Sequence, residues 1–145
     1  MVIPLVLTPI LTLIIAAVLT PIITVLGRTL RFEKLRDSFS IAGFIVAIYY
    51  IYNLDMEVRA AEGGAVTYYL GRYGPPFGVA FHVDTLSVFM AYLFAGIGLM
   101  AAVYSLKYLE RDTGLDKYYA LLLTLCYGMV GVAFAGDFFN LFIFW

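Results

Sequence analysis

The sequence has 145 residues, of which 63% are hydrophobic and 13% are charged, and its formal net charge is -1. Soluble domains usually carry about 25% charged residues, so this composition excludes a soluble globular protein and indicates a membrane protein. No basic cluster predicts nucleic-acid binding. Cys126 is the only cysteine, which excludes an internal disulfide.

Apolar segments without charge predict four full transmembrane helices, at residues 3–26, 38–54, 85–106 and 118–135. None of the four contains Asp, Glu, Lys, Arg or His. Ion pathways and proton relays normally need ionisable groups at depth. We therefore do not expect these four helices to carry protons through the membrane by themselves.

A fifth helix is predicted at residues 137–145, where Asp137 can cap the first turn of a run of apolar and aromatic residues. Nine helical residues rise roughly 13 Å, against a hydrocarbon core of about 30 Å. This segment is therefore the first half of a span. We expect the helix to continue after Trp145, in the same chain or through another polypeptide, and we expect residues 1–145 to be one membrane domain, an incomplete part of a larger one.

The charges between the spans predict the orientation. The segments after the first and third spans hold seven of the nine basic residues, whereas residues 55–84 hold only Arg59 and Arg72. Basic residues concentrate in cytoplasmic loops. We therefore expect the amino terminus and residues 55–84 to face outside.

The outer loop at residues 55–84 contains a strand pattern. Val79, Phe81 and Val83 alternate with other residues, and residues 67–70 can pair with them across a glycine–proline turn. We expect a small β-hairpin on the outer face. The fold class is otherwise all-α.

Small residues at helical spacing predict the faces on which the helices touch, because close packing holds membrane helices together. We interpret both sets as helix-packing stripes, and the alternative is a permeation path along either one. The stripe of the third span is Ala91, Ala95, Gly98 and Ala102, and that of the fourth is Thr124, Gly128, Gly131 and Ala135.

Three ionisable residues at the outer edge are candidates for an ion pathway. Asp137 and Asp84 stand at predicted helix starts, and His82 is the only histidine. Each also has a structural interpretation, as a helix cap for the two carboxylates and as a hairpin residue for His82. We find no catalytic constellation and no set of metal ligands, and we expect no cofactor.

Two motifs carry a resemblance to a known family. Residues 83–87 (VDTLS) begin one helix, and residues 136–145 (GDFFNLFIFW) follow two helices later. Together they resemble the antiporter-like membrane subunits of respiratory complex I, of multi-subunit Na+/H+ antiporters and of energy-converting membrane-bound hydrogenases. In that family a membrane-embedded glutamate follows the aromatic run and works with a lysine two helices later. Of the family pattern, only the flanking Asp84 and Asp137 are matched here.

The resemblance implies a multi-pass subunit of a large plasma-membrane complex that couples redox chemistry elsewhere to H+ or Na+ movement. This part would supply peripheral helices and the beginning of the ion-path helix. Its partners would be the lipid bilayer, other membrane subunits and the segment that continues after Trp145. The alternative is a small membrane scaffold that transports nothing, or one half of a split subunit. A membrane enzyme in its own right has no reactive constellation here to support it.

Overall fold

The computed structural model describes residues 4–30, 34–61, 63–70, 78–109 and 115–145. A short 3-10 turn, Leu5–Leu7, precedes the first helix. The elements that follow are α1 (Thr8–Leu30), α2 (Lys34–Ala60), β1 (Ala65–Tyr69), β2 (Ala80–Asp84), α3 (Thr85–Tyr108), α4 (Leu115–Ala133) and α5 (Phe138–Phe144). The fold is mainly helical, as the composition predicts, with one two-stranded sheet.

The first four helices pack into a bundle. α1 contacts α2 and α4, and α3 contacts the same two helices from the other side. The short α5 contacts α4. The largest fully buried side chains of the core include Leu13 of α1, Phe44 and Ile51 of α2, and Tyr119 and Leu123 of α4. α4 therefore connects the bundle to α5.

Three helices are long and apolar enough to cross a membrane, within Leu5–Gly27, Leu35–Ala60 and Thr85–Tyr108. The apolar part of α4, Lys117–Ala133, is shorter. Three such segments make this a multi-pass membrane protein. The 19 residues of α4 rise about 28 Å, close to the thickness of the hydrocarbon core.

α1, α2 and α3 end later than hydropathy predicts, whereas α4 ends at Ala133 and not at residue 135. α1 continues through Gly27 to Leu30, and α2 covers 34–60 where 38–54 was expected. Charged residues at the two ends of α2 are compatible with a helix, and an end that protrudes from the hydrocarbon keeps them in water. The basic connection between α1 and α2 is therefore shorter than expected. Residues 55–60 belong to α2 and not to the outer loop.

The hairpin forms as expected. β1 and β2 pair antiparallel, with Thr67 opposite His82 and Tyr69 opposite Ala80. The glycine–proline turn falls in residues 71–77, outside the described residues. β2 leads directly into α3, so the hairpin lies at the start of α3.

Candidate functional site

The junction between α4 and α5 lies against the free edge of β2. The backbone N–H of His82 donates to the carbonyl of Phe134 (3.0 Å), and the N–H of Gly136 donates to the carbonyl of Ala80 (2.9 Å). An isolated antiparallel bridge joins Phe81 to Ala135. The junction thus supplies the backbone partners that a third strand would supply, and it covers an edge that would otherwise be unpaired.

Asp137 binds two elements at once. One carboxylate oxygen, Oδ1, accepts from the N–H of Asn140 (2.6 Å) and caps α5. The other, Oδ2, accepts from the N–H of Ala80 in β2 (2.6 Å). Bonds of this length to a carboxylate are of the strong, charge-assisted kind. The carboxylate is therefore both a helix cap and a cross-link to the hairpin.

Asn140 completes the contact from the first turn of α5. The residue is 1% exposed, and its Nδ2 donates to the carbonyl of Ala80 (2.9 Å). Asp137 and Asn140 together bond both backbone groups of Ala80. A glycine is favoured at position 136, because a Cβ there would lie only 3.0 Å from the Ala80 carbonyl oxygen. We call Asp137, Asn140 and Ala80 the clamp.

Asp84 has the simpler role of a local helix cap. Its Oδ1 accepts from the N–H of Ser87 in the first turn of α3 (2.7 Å). The backbone and side-chain hydrogen bonds from Ser87 lower the pKa of Asp84, and the nearby His82 adds to this effect. The side chain of His82 is exposed, and its Nδ1 lies 2.9 Å from the Thr67 hydroxyl across the hairpin.

The three ion-pathway candidates therefore share one end of the bundle but form no common centre. No side-chain hydrogen bond or ion pair joins the described residues His82, Asp84 and Asp137 to one another. Within the described residues, no group of three or more His, Cys, Asp or Glu side chains could hold a metal ion. The structural interpretation of each candidate is the one that its contacts support.

The small-residue stripe of α3 faces the bundle along its whole length. All four of its members are buried: Ala91, Ala95, Gly98 and Ala102. At Gly98 an added Cβ would lie 2.5 Å from the Cys126 Sγ of α4 and 2.7 Å from the Phe44 Cε1 of α2. The absence of a side chain at this position lets three helices approach one another.

The stripe predicted for the fourth span divides into three parts, and its last member lies after the end of α4. Gly131 is buried beneath the ring of Phe144, and Gly128 faces the backbone of the same residue. Ala135 pairs with Phe81 of the hairpin. Thr124 is exposed and lines an apolar groove of about 860 Å³ between α3, α4 and α5. Thr124 was predicted to pack against another helix, but no helix among the described residues covers it.

Two charged pairs of α2 were not expected from the sequence. Asp55 is buried and accepts from the Nε of Arg59 (2.9 Å). At the other end of α2, Arg36 and Asp37 form a pair at 2.7 Å, and Arg36 lies over the ring of Tyr119. The spacing of Asp55 and Arg59, four residues apart, was the available signal. It was missed because residues 55–60 were assigned to a loop.

Comparisons with known proteins agree on one family. Residues 74–119 match the family model described as NADH-ubiquinone oxidoreductase (complex I), chain 5 N-terminus. The chain is 33% identical over 108 residues to NADH-quinone oxidoreductase subunit N of Desulforudis audaxviator, and 32% identical over 118 residues to a probable K(+)/H(+) antiporter subunit of Rhizobium meliloti. In these comparisons the chain is similar to antiporter-like membrane subunits.

A solved structure has the same fold as this chain. The archaeal membrane-bound sulfane sulfur reductase, a respiratory membrane complex, contains a chain that matches 96% of this one with a TM-score of 0.83 and 23% identity. The aligned regions cover 70% and 79% of this chain but only 22% and 21% of the two relatives, and 27% of the solved chain. The chain thus spans only about a quarter of the length of the proteins it matches.

Proposed function

We propose that this chain forms the amino-terminal helices of an antiporter-like subunit and contributes to H+ or Na+ translocation by a larger complex in the plasma membrane. Sequence similarity is the observation that carries the proposal, since the relatives are named as K(+)/H(+) antiporter, Na(+)/H(+) antiporter and quinone oxidoreductase subunits. The antiporter names differ in the cation, so the transport assay must compare Na+ with K+. No catalytic residue is assigned to this chain.

The outward face of α5 is available for contact with further membrane helices. Phe138 and Phe142 are 92% and 80% exposed. Packing against helices of the same complex would cover these large apolar side chains. In the proposed subunit the segment following Trp145 continues α5 across the membrane, and α5 is the beginning of the ion-path helix.

The candidates Asp137, Asp84 and His82 have a supporting role in this proposal. Both carboxylates already accept hydrogen bonds at helix starts. They hold α3 and α5 in place at the outer surface, and the ion-binding groups are supplied by the rest of the complex. The central apolar segments of α1 to α4 contain no Asp, Glu, Lys, Arg or His, which agrees with a framework role for this part.

Transport by the complex tests the proposal. The complex is isolated from native membranes through an affinity tag on this chain, reconstituted into liposomes that enclose a pH-sensitive dye, and challenged with Na+, K+ or Li+ gradients. We expect other membrane subunits to copurify and a cation-dependent change in internal pH. An uncoupler added beforehand is the control, because it abolishes any pH gradient.

The second candidate function is a membrane scaffold, or one half of a split antiporter-like subunit. The absence of Asp, Glu, Lys, Arg and His from the central apolar segments favours this second function. A chain that purifies without further membrane subunits, and vesicles that show no cation-dependent pH change, would support the scaffold and contradict transport. Copurification of a second antiporter-like chain would indicate the split subunit.

We also propose that α4 crosses the membrane, that the amino terminus faces outside and that the hairpin lies on the outer face. The distribution of basic residues supports this orientation. It places Glu57, at the end of α2, outside and Lys107, at the end of α3, in the cytoplasm. Both side chains are exposed.

Cysteine labelling measures this orientation. A Cys126→Ala background removes the only native thiol, and Glu57→Cys or Lys107→Cys is then introduced. We expect an impermeant maleimide to label Glu57→Cys in intact cells, and Lys107→Cys only after permeabilisation. The opposite labelling pattern would indicate the inverted topology. Labelling of both cysteine variants in intact cells would contradict the proposed membrane crossings.

A further inference from the structure

The clamp differs from an ordinary helix cap, and the cap formed by Asp84 in the same chain provides the comparison. Asp84 and Asp137 both cap a helix through Oδ1, at 2.7 and 2.6 Å. Asp137 also uses its second oxygen on another element, the N–H of Ala80 in β2. A serine or threonine could cap α5 equally well. The second bond therefore needs an explanation other than capping.

The other half of the clamp is built from a buried amide. Asn140 is 1% exposed and donates its Nδ2 to the Ala80 carbonyl, which also accepts from the N–H of Gly136. A buried amide that lost its partner would carry a desolvation penalty, so Asn140 holds α5 at one position relative to β2. Two side chains at the beginning of α5 thus bond both polar groups of one residue of the hairpin.

We infer that Asp137 and Asn140 are positioning residues that lock the beginning of α5 to the outer-surface hairpin, so that a displacement of the hairpin is transmitted to α5. The link is short because α5 begins at Phe138, immediately after Asp137. α4 joins the same unit through the bond from the His82 N–H to the Phe134 carbonyl. The part of the inference that concerns ion movement rests on the proposed function, in which α5 begins the ion-path helix.

Substitutions at Asp137 separate the clamp from the cap. Asp137→Ser keeps an oxygen for the Asn140 N–H but cannot also reach Ala80. Asp137→Asn has one carbonyl oxygen for two N–H donors, and Asp137→Ala has none. Asp84→Ala is the matched control, since it removes a cap and leaves the Ala80 N–H bonded.

Amide hydrogen exchange of the complex in lipid nanodiscs, read at single residues, provides the measurement. In Asp137→Ser we expect the Ala80 amide to exchange about tenfold faster or more, with the Asn140 amide nearly unchanged. Asp137→Asn should give an intermediate rate at Ala80, and Asp137→Ala should accelerate both amides. Asp84→Ala should accelerate Ser87 and leave Ala80 unchanged.

Unchanged exchange at Ala80 in Asp137→Ser would overturn the clamp and leave an ordinary cap. The same variants in the vesicle assay then test the functional part. Slower cation-dependent pH change in Asp137→Ser, but not in Asp84→Ala, is expected, and equal rates would overturn transmission to the ion path. If the native complex transports nothing, the proposed function fails while the exchange result still decides the clamp.

Discussion

Gly98→Ala is expected to destabilise the bundle by about 1–3 kcal/mol, because the added Cβ overpacks a closed core. The Cβ would lie 2.5 Å from the Cys126 Sγ and 2.7 Å from the Phe44 Cε1. Both neighbours are buried, at 1% and 0% exposure, so neither can turn away into lipid. This overlap can be relieved only if α3 separates from α2 and α4. That separation would lose packing contacts along the whole stripe.

Gly96→Ala on the same helix is the matched control. A Cβ at Gly96 meets nothing within 4 Å. Alanine is the better helix former by about 1 kcal/mol, so this variant should be neutral or stabilised. Thermal unfolding of the two variants in one detergent measures the difference. Equal midpoints would show that the buried stripe of α3 is not a packing surface.

Gly131→Leu is expected to detach α5 from α4. An added Cβ would overlap the ring of Phe144, which covers Gly131. The same ring packs edge-on against Tyr127 and Phe81 at centroid distances of 5.3 and 6.1 Å. A leucine must therefore displace Phe144 from both aromatic partners, at a cost of about 1–3 kcal/mol, and assembly with helices that cover α5 should fail.

A double-mutant cycle with Phe144→Ala isolates this contact. In the Phe144→Ala background the space above Gly131 is open, so Gly131→Leu should cost much less there than in the native sequence. Unfolding midpoints of the four proteins give the coupling, and the yield of the intact complex reports assembly. Additive effects, with full assembly of Gly131→Leu, would refute a contact between Gly131 and α5.

Hydropathy and residue patterns in the sequence were sufficient to predict several parts of the fold. Long apolar segments predict helices because a chain in lipid must satisfy its backbone polar groups internally. The alternation around Phe81 predicted β2, and its pairing with residues 67–70 is confirmed. Asp84 and Asp137 were recognisable as caps because a cap depends only on residues up to three positions away.

Other features depended on contacts between residues distant in sequence. Asp137 and Ala80 are 57 residues apart, and Asn140 and Ala80 are 60 apart. No local spacing distinguishes the bridging cap from the local one at Asp84. The same applies to Thr124, which shares the spacing of a packing stripe but faces a groove.

The sequence by itself determined the class of the protein, the long apolar helices, the existence of the hairpin and the family motifs. Each of these follows from local composition and period. Only the tertiary structure decided that Phe144 covers Gly131 and that α5 is bonded to β2 through Ala80. These depend on which helix faces which, and that arrangement is set by the packing of the whole bundle.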